Sequence, residues 1–382
     1  MNQTILNCNE SNYTKIDEYL NENNIKKLFI VCGKSFPNLS ISSYINTLKD
    51  IEITYFNDFL PNPTYESVVS GVNKYLESKS NAILAIGGGS AIDVAKSIKA
   101  FANMNHAKNY LEQTVTPNDI KLIAMPTTAG TGSESTKFAV IYYQGEKQSV
   151  THDSLIPTVV IFDPSSLVSL PAYQKKATVL DAFSHAIESY WSVNATDESK
   201  TYSLESLSLI IQNIDEYLNN NNDINSVMLS ASNIAGKAIN IAKTTAGHAM
   251  CYKLTSLYNI AHGHAAALIN SELYPYMITN LKRVTDKKKR EMLTITLTKL
   301  ANQFGYDNLE DSKEFIRDLL AKLDLYNVFV NDDDIAVLKK SVNTLRLKNN
   351  PLALTEQDIE NIYKNLFIEI EKRKKDASKT FN

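Results

Sequence analysis

Residues 82–101 read AILAIGGGSAIDVAKSIKAF: an apolar run, three successive glycines and a segment with helical periodicity. The pattern predicts a strand over residues 82–86 and a helix that begins at the glycines. Glycines at such a joint let the backbone approach a ligand, and the N–H groups at the start of the helix then face an anion such as pyrophosphate. The spacing departs from G-x-G-x-x-G, whose third glycine would fall on Ile92. A turn that serves only tight packing is the alternative interpretation.

The first 170 residues around this stretch contain several short apolar runs, separated by segments with helical periodicity such as 65–79 and 91–103. Strands that alternate with helices predict a mostly parallel sheet covered by helices on both faces. The predicted strands are 27–33, 51–56, 82–86, 121–125, 138–143 and 158–163.

After Pro171 the pattern changes to long amphipathic segments with a period near 3.6 residues, over 177–192, 205–218, 226–243 and 290–304. We therefore predict two domains. The first, residues 1–170, is a Rossmann-like α/β dinucleotide-binding domain with a mostly parallel sheet. The second, residues 171–382, is an all-helical metal-binding domain.

Composition excludes some classes of function. The chain has 382 residues with 39 basic and 42 acidic side chains, a net charge of −3, which gives no electrostatic reason to expect a nucleic-acid partner. Its three cysteines are widely spaced and include no C-x-x-C arrangement, which favours a reducing compartment. No signal-peptide pattern and no run of roughly 18 apolar residues is present, so we expect a cytoplasmic protein with no membrane partner.

A second polar loop follows the predicted strand 121–125. PTTAGTGSES, residues 126–135, has five hydroxyl side chains and two glycines. Thr127 and Thr128 are candidates to donate hydrogen bonds to phosphate or nicotinamide groups. A polar surface loop is the simpler alternative, but its position after a strand of the same sheet as GGGS favours ligand binding.

The helical half contains a candidate metal site. Asp181 and His185 are four residues apart, so both lie on one side of a helix, and the surrounding VLDAFSHAIESYW is mostly apolar. A buried, unpaired charge there would be costly. His248 and His262, fourteen residues apart, and His264 fall in a second short segment. We predict a divalent metal site from this clustering. A helix-surface ion pair and separate core histidines are the alternatives.

Taken together, GGGSAID, PTTAGTGSE, the DxxxH helix and the two histidines that end in HGHA resemble the iron-dependent (group III) alcohol dehydrogenases. The similarity extends over nearly the whole chain, including PNPT (61–64) and FDPSSLVSLP (162–171). The resemblance implies a dehydroquinate synthase-like architecture, in which the metal and the nicotinamide meet in a cleft between the two domains.

The resemblance also implies roles for particular residues. The implied metal ligands are Asp181, His185, His248 and His262. The implied cofactor-binding residues are Gly33, Asn62, Gly88, Gly89, Ser90, Thr127, Thr128, Thr136, Phe138 and Lys147. Tyr252 stands where many relatives carry a further histidine linked to proton transfer, so Tyr252, a cofactor ribose hydroxyl or an ordered water would deliver the proton. His264, two residues past a ligand, is the other candidate catalytic residue and is expected beside the metal ligands.

The branch that the chain resembles most is that of the phosphonoacetaldehyde reductases, with the sulfoacetaldehyde reductases nearby. This implies metal-dependent, NAD(P)H-linked reduction of an anionic C2 aldehyde, phosphonoacetaldehyde to 2-hydroxyethylphosphonate. Candidate partners for the anion are Lys137, His152, Ser192, Asn194 and Lys243. The alternatives are a sulfoacetaldehyde reductase, a general short-chain alcohol or butanol dehydrogenase, a glycerol-dehydrogenase-like or dehydroquinate-synthase-like relative, and a non-catalytic metal- or nucleotide-binding protein.

The expected cofactors are Fe2+, with Zn2+ or Mn2+ also acceptable to this ligand set, and NADPH or NADH. Gly33 and Lys34 follow the first strand of the predicted sheet, where an acidic side chain would repel a 2′-phosphate. Because neither is acidic, NADPH is favoured. The resemblance also implies a homodimer.

Overall fold

The computed structural model describes residues 3–380 and divides the chain into two compact units. The first unit comprises Met1–Pro171 together with Asn219–Gly236, and the second comprises Ala172–Leu218 together with Lys237–Asn382. The predicted domain limits group residues 219–236 with the helical domain, whereas the compact units group them with the sheet.

The first unit is built on a six-stranded parallel sheet with the order β1-β8-β5-β4-β2-β3, and a separate antiparallel pair, β6-β7. The strands are β1 Thr4–Asn7, β2 Lys27–Cys32, β3 Glu52–Phe56, β4 Ala82–Gly87, β5 Lys121–Pro126, β6 Phe138–Tyr143, β7 Glu146–Thr151 and β8 Val159–Phe162. Its helices are α1 Thr14–Glu22, α2 Ser40–Ile45, α3 Tyr65–Ser78 and α4 Gly89–Phe101.

The described elements of the second unit are helical. They are α5 Ala172–Trp191, α6 Asp197–Leu218, α7 Asn225–Ala242, α8 Ala246–Tyr258, α9 His262–Thr279, α10 Lys287–Gln303, α11 Phe315–Lys322, α12 Ile335–Lys340, α13 Thr344–Leu347 and α14 Glu356–Thr380. Helix α7 begins in the first unit and continues into the second after Gly236.

Helices cover both faces of the parallel sheet, as the alternation of side chains along β2 shows. Phe29 and Val31 belong to a core with residues of α3 and α4, whereas Leu28 and Ile30 belong to a second core with residues of α1 and α2. A strand buried on both faces must be apolar throughout, which is why its sequence, LFIVC, is a continuous apolar run.

The predicted fold class is confirmed: a mostly parallel sheet is followed by an all-helical region. One strand differs from expectation. The sequence groups residues 138–143 with the parallel sheet, but β6 pairs antiparallel with β7 instead. The two-residue turn between them explains this, because Gln144 (φ 52°) and Gly145 (φ 81°) adopt the left-handed conformation typical of tight hairpins.

Two further features concern the hydrophobicity of the helices and the cysteines. None of the helices within residues 3–380 combines the length and apolar character required to cross a membrane. All three cysteines, Cys8, Cys32 and Cys251, are buried thiols outside any disulfide.

Candidate active site

Three loops meet at the carboxyl edge of the parallel sheet. The strand order reverses between β2 and β4, which is where open α/β sheets bind ligands. The Gly33 N–H donates to the Ile86 carbonyl at 3.2 Å, and the Thr127 N–H donates to the Gly87 carbonyl at 3.1 Å. The loops after β2, β4 and β5, which contain most of the predicted cofactor residues, are therefore adjacent.

The glycines at the start of α4 are required by close packing. Gly87 has a φ of 154°, and a Cβ there would lie 2.7 Å from the Ala91 Cβ. Gly88 is the N-cap of α4, and a Cβ on Gly89 would lie 3.0 Å from Thr131 Cγ2. Side chains are therefore absent where the first turn of α4 meets the loop after β5. The Ala91 N–H donates to the Gly88 carbonyl at 3.1 Å. The N–H groups that come before it, those of Gly89 and Ser90, precede the first intrahelical hydrogen bond and are suited to bind a phosphate.

Two polar side chains of α4, Asp93 and Lys96, hold residues 133–140. Lys96 is fully buried, and its Nζ donates to Thr136 Oγ1 at 2.9 Å and to the Phe138 carbonyl at 3.0 Å. Asp93 accepts from Ser133 Oγ at 2.5 Å and from the Val140 N–H at 3.0 Å. Burial lowers the pKa of the Lys96 ammonium to about 8, although Asp93 opposes the shift. The Thr136 hydroxyl, predicted to bind the cofactor, is thus bound to Lys96.

A contact between two glycines fixes the same loop against α7. Gly132 has a φ of 58°, and its backbone lies directly against Gly236. A Cβ on Gly236 would lie 2.4 Å from the Gly132 carbonyl oxygen. Nearby, Asn233 Nδ2 donates to Glu134 Oε1 at 3.3 Å. Helix α7 can therefore approach the loop after β5 only because both positions lack a side chain.

The remaining predicted cofactor residues lie on or beside the β6-β7 hairpin. Phe138 begins β6, and Lys147 lies on β7 opposite Tyr142. Asn62 is exposed with a φ of 59°, and the carbonyl of the next residue, Pro63, accepts from the Tyr142 N–H at 2.8 Å. The segment around Asn62 is thereby fixed to the hairpin.

In the second unit, three of the four predicted metal ligands come together. Asp181 on α5, His248 on α8 and His262 at the start of α9 offer ligand atoms that all lie within 4.8 Å of one another. We call these three residues the acid–imidazole cluster. Asp181 Oδ1 and His248 Nε2 are buried and 3.5 Å apart, and neither has a hydrogen-bond partner among the described residues. Gly263 makes this arrangement possible, because a Cβ there would lie 2.1 Å from the Ala177 carbonyl oxygen.

The fourth predicted ligand, His185, lies beside the cluster. Its Nε2 is 3.8 Å from Asp181 Oδ1, and its ring stacks on that of His248 with the centroids 4.7 Å apart. It is not in the group whose ligand atoms lie within 4.8 Å of one another. The DxxxH spacing therefore places both side chains on one face of α5, as the sequence predicts, with His185 in contact with two members of the cluster.

A buried carboxylate that sequence reasoning missed orients His248. Glu188 Oε1 is 2.6 Å from His248 Nδ1 and accepts from Asn270 Nδ2 at 3.0 Å. Its Oε2 accepts from the Thr245 N–H at 2.6 Å, from the Thr245 hydroxyl at 2.9 Å and from the His248 N–H at 3.3 Å. With Nδ1 bound to Glu188, the other ring nitrogen of His248 faces Asp181. This carboxylate–histidine pairing is typical of metal ligands.

The sequence does contain a signal for Glu188. Asp181, His185 and Glu188 occupy positions i, i+4 and i+7 of an otherwise apolar helix, so all three lie on one face. Gly247 is part of the same arrangement, because a Cβ there would lie 2.4 Å from Glu188 Oε1 and 2.2 Å from Asn270 Oδ1.

Electrostatics couple these groups. Burial acts to lower the pKa of the His248 imidazole, but the carboxylates of Glu188 and Asp181 outweigh it and raise that pKa to about 9. Burial acts to raise the pKa of both carboxyl groups. The adjacent imidazoles reverse this, lowering the pKa of Glu188 to about 2 and the pKa of Asp181 below its usual range. Both carboxylates are therefore ionised, and positive charge between them is strongly favoured.

The two candidate catalytic residues differ in their surroundings. The Tyr252 ring stacks on His262, with the centroids 5.4 Å apart and the planes at 13°. His264 is bound at both ring nitrogens, 3.1 Å from Tyr173 Oη and 2.7 Å from the Leu325 carbonyl. Burial lowers the pKa of His264 to about 4, so the ring is neutral. These contacts indicate a packing role for His264, whereas Tyr252 lies directly against the cluster.

The five anion candidates are divided between the two units, with two in the first and three in the second. In the first unit, Lys137 pairs with Asp153 at 3.0 Å, and His152 Nδ1 accepts from the Ser154 N–H. In the second unit, Ser192 Oγ donates to the Ala242 carbonyl, and Asn194 Nδ2 donates to Asn349 Oδ1. Lys243 is exposed. The hydroxyl and amide that were expected to contact substrate thus support the protein itself.

Comparisons with known proteins identify a family that matches both parts of the chain. Residues 4–164 match the family described as iron-containing alcohol dehydrogenase, and residues 175–367 match the C-terminal part of the Fe-containing alcohol dehydrogenase family. The chain is 30% identical over 327 residues to long-chain-alcohol dehydrogenase 1 of Geobacillus thermodenitrificans, covering 82% of this chain and 81% of the relative.

Two solved structures share the fold. Sulfoacetaldehyde reductase from Bifidobacterium kashiwanohense, in complex with NAD+, superposes with a TM-score of 0.83 at 24% identity, over 95% of this chain and 96% of that one. An iron-containing alcohol dehydrogenase from Thermococcus thioreducens superposes with a TM-score of 0.85 at 19% identity, over 96% of this chain and 98% of that one.

The glycine contact predicts the outcome of one substitution. Replacing a helical glycine by alanine ordinarily stabilises a helix by about 1 kcal/mol. At Gly236 the new Cβ would instead meet the backbone of Gly132, so we expect Gly236→Ala to lower the free energy of unfolding by about 1–3 kcal/mol. Urea unfolding of the variant and of wild type measures this difference in free energy. Gly33→Ala is the control, because a Cβ there would have no heavy atom within 4 Å, and the loss should be smaller. A more stable Gly236→Ala would contradict the close contact.

The contacts of Glu188 predict the effect of a second substitution on stability. Glu188→Ala leaves five buried donor contacts without their acceptor, so we expect the free energy of unfolding to fall by about 3–5 kcal/mol. Glu188→Gln keeps the size of the side chain and one acceptor oxygen, so its free energy of unfolding should lie between those of Glu188→Ala and wild type. The exposed Glu205→Ala should stay within about 0.5 kcal/mol of wild type. Equal stability of Glu188→Ala and wild type would show that the network contributes nothing.

Proposed function

The chain belongs to the iron-containing alcohol dehydrogenase family, and from that membership we propose that it reduces a short anionic aldehyde, phosphonoacetaldehyde, to the corresponding alcohol with NAD(P)H. The acid–imidazole cluster is the observation that carries the proposal. Asp181 Oδ1 and His248 Nε2 face each other 3.5 Å apart in a buried position, without a hydrogen bond within the described residues, and a cation held between them would bind both.

A divalent metal ion fits the cluster. One carboxylate oxygen and imidazole nitrogens are ligands that Fe2+, Zn2+ and Mn2+ accept. We propose Asp181, His248 and His262 as ligands, with His185 as the fourth after a small rotation of its ring. Because Glu188 holds His248 Nδ1, Nε2 of that ring is the atom available to the ion. The high pKa of His248 implies that the ion replaces a proton there, so that its binding depends on pH.

The roles of the protein's own residues follow. When bound, the ion would supply Lewis acidity toward a carbonyl oxygen and the reduced nicotinamide would supply hydride. The first turn of α4 and the loop after β5 hold the dinucleotide through backbone N–H groups and the Thr127 and Thr128 hydroxyls. Tyr252 lies against His262 and is the residue that we propose to deliver a proton to the product oxygen, directly or through water.

The proposal also specifies the substrate, the dinucleotide, the assembly and the location. The similarity of fold to sulfoacetaldehyde reductase supports an anionic two-carbon aldehyde and makes the sulfonate the second candidate. The 30% sequence identity to a long-chain-alcohol dehydrogenase makes neutral aldehydes, such as butanal, a third class of candidate substrate. We further propose NADPH as the preferred dinucleotide, a homodimer as the assembly and the cytoplasm as the location.

Removal of the metal tests whether the reaction depends on a metal ion. Dialysis against a chelator should abolish aldehyde-dependent NAD(P)H consumption, and addition of Fe2+, Zn2+ or Mn2+ should restore it, because the cluster alone does not polarise a carbonyl group. His262→Ala should lose both activity and stoichiometric metal, measured by elemental analysis of the purified protein. Full activity of a metal-free His262→Ala protein would refute the metal assignment. His152→Ala, whose ring caps a turn in the other unit, should retain its metal.

The dinucleotide preference depends on the loop after β2. A Cβ on Gly33 would have no heavy atom within 4 Å, so a side chain fits there without displacing the backbone. We expect Gly33→Asp to lower kcat/KM for NADPH about tenfold relative to NADH, because its carboxylate would repel a 2′-phosphate. Gly33→Asn, equal in size but uncharged, is the control and should shift the ratio much less. A wild-type protein that strongly prefers NADH would contradict the NADPH assignment.

A further inference from the structure

The second unit contains an arginine that no predicted role accounts for. Arg346, on the short helix α13, is half-buried, and its guanidinium carbon lies 5.4 Å from the centroid of the Tyr252 ring. Its Nη1 donates to Thr244 Oγ1 at 2.9 Å. Within residues 3–380, no carboxylate lies within ion-pair distance of it. Its positive charge is therefore not neutralised by any described side chain.

The segment that carries Arg346 is fixed by hydrogen bonds on both sides. The Asn343 N–H donates to the Ala249 carbonyl of α8 at 3.3 Å. Asn349 Nδ2 donates to the Thr244 carbonyl at 2.9 Å, and the Asn349 carbonyl accepts from the Val193 N–H at 3.0 Å. The guanidinium is thus held on a braced segment, which lowers the entropy cost of using it as a binding group.

Arg346 is also close to the acid–imidazole cluster. The Tyr252 ring stacks on the His262 ring, and the Arg346 guanidinium lies over the same Tyr252 ring. A single aromatic ring therefore links Arg346 to His262 of the cluster. A molecule that uses both needs a carbonyl group at one end and an anion at the other. Of the other cationic candidates, Lys137 is paired with Asp153 and Lys243 extends into solvent.

We propose that Arg346, together with the Thr244 hydroxyl, binds the anionic group of a short aldehyde whose carbonyl end lies at the acid–imidazole cluster. This rests on the proposed reduction of an aldehyde. The planar fork of an arginine binds two oxygens of a phosphonate, sulfonate or carboxylate at once. Asn194, a candidate for direct contact with the anion, donates instead to Asn349 of the segment that carries Arg346.

The experiment compares charged and neutral aldehydes of similar length in the metal-loaded enzyme at constant ionic strength. Phosphonoacetaldehyde and sulfoacetaldehyde are the charged substrates and propanal is the neutral one. We expect Arg346→Gln to raise KM for both charged aldehydes about 10- to 100-fold, as loss of a charged hydrogen-bonding partner does, and to leave KM and kcat for propanal within about twofold. Arg346→Lys, which keeps the charge, should recover part of the loss. A larger effect on one charged substrate would identify the preferred anion.

Lys348→Gln is the matched control, because it removes an exposed positive charge two residues away. We expect it to behave as wild type. Equal effects of Arg346→Gln on propanal and on the charged aldehydes would overturn the proposal, since a residue that only positions Tyr252 would act on every substrate. An equal loss in Lys348→Gln would overturn it too, because general attraction of anions would then suffice.

A binding measurement separates this proposal from that of the reaction. Methylphosphonate and ethanesulfonate have no carbonyl group, so calorimetric titration measures anion binding without turnover. Binding to wild type that Arg346→Gln weakens at least tenfold supports the anion site even if no aldehyde is reduced, in which case the proposed reaction fails alone. Reduction of propanal without anion binding to wild type would leave the reaction intact and refute the role of Arg346.

Discussion

The candidate active site depends on the burial of the Glu188 carboxylate. A charge removed from water is tolerated only if its lone pairs are filled by donors, and Glu188 gathers donors from Thr245, His248 and Asn270. These partners come from the segment before α8, from α8 itself and from α9, so satisfying one carboxylate fixes the three helices that carry the acid–imidazole cluster. Gly247 completes the arrangement by leaving space for the carboxylate and the amide to meet. The orientation of His248 is thus a consequence of packing around a neighbouring charge.

The dinucleotide-binding edge in the first unit uses a different constraint. There the absence of side chains is decisive, since Gly87, Gly89 and Gly132 each lie where a Cβ would meet another atom at 3.0 Å or less. At Gly132 backbone contacts backbone, and Asp93 and Lys96 hold the loop from the helix side. The amide groups that remain at the start of α4 are therefore rigidly placed, which favours binding of an anion over a flexible loop that must first be ordered.

Much of this could be predicted from the sequence, for reasons that are local. The strands beginning at Lys27, Ala82 and Lys121 are continuous apolar runs, and the spacing of Asp181 and His185 requires one helical face. What sequence reasoning missed depends on contacts between distant segments. The helical period places Glu188 on the face of Asp181 and His185, but it does not specify His248 as its partner. The pairing of Arg346 with Tyr252 has no periodic signal either, because it joins residues on different helices. The antiparallel β6-β7 hairpin was misplaced because a strand's apolar pattern does not specify its partner.

The interleaving of the two compact units has a consequence for dissecting the protein. Residues 219–236 belong with the sheet although they follow α5 and α6, which belong with the helical unit. No single break in the polypeptide therefore yields both units whole. A fragment that stops at Pro171 lacks the α7 segment that packs on Gly132, and a fragment that starts at Ala172 carries that segment without its partner. Expression of isolated halves should give incompletely packed chains, and separation would require circular permutation or excision with a linker.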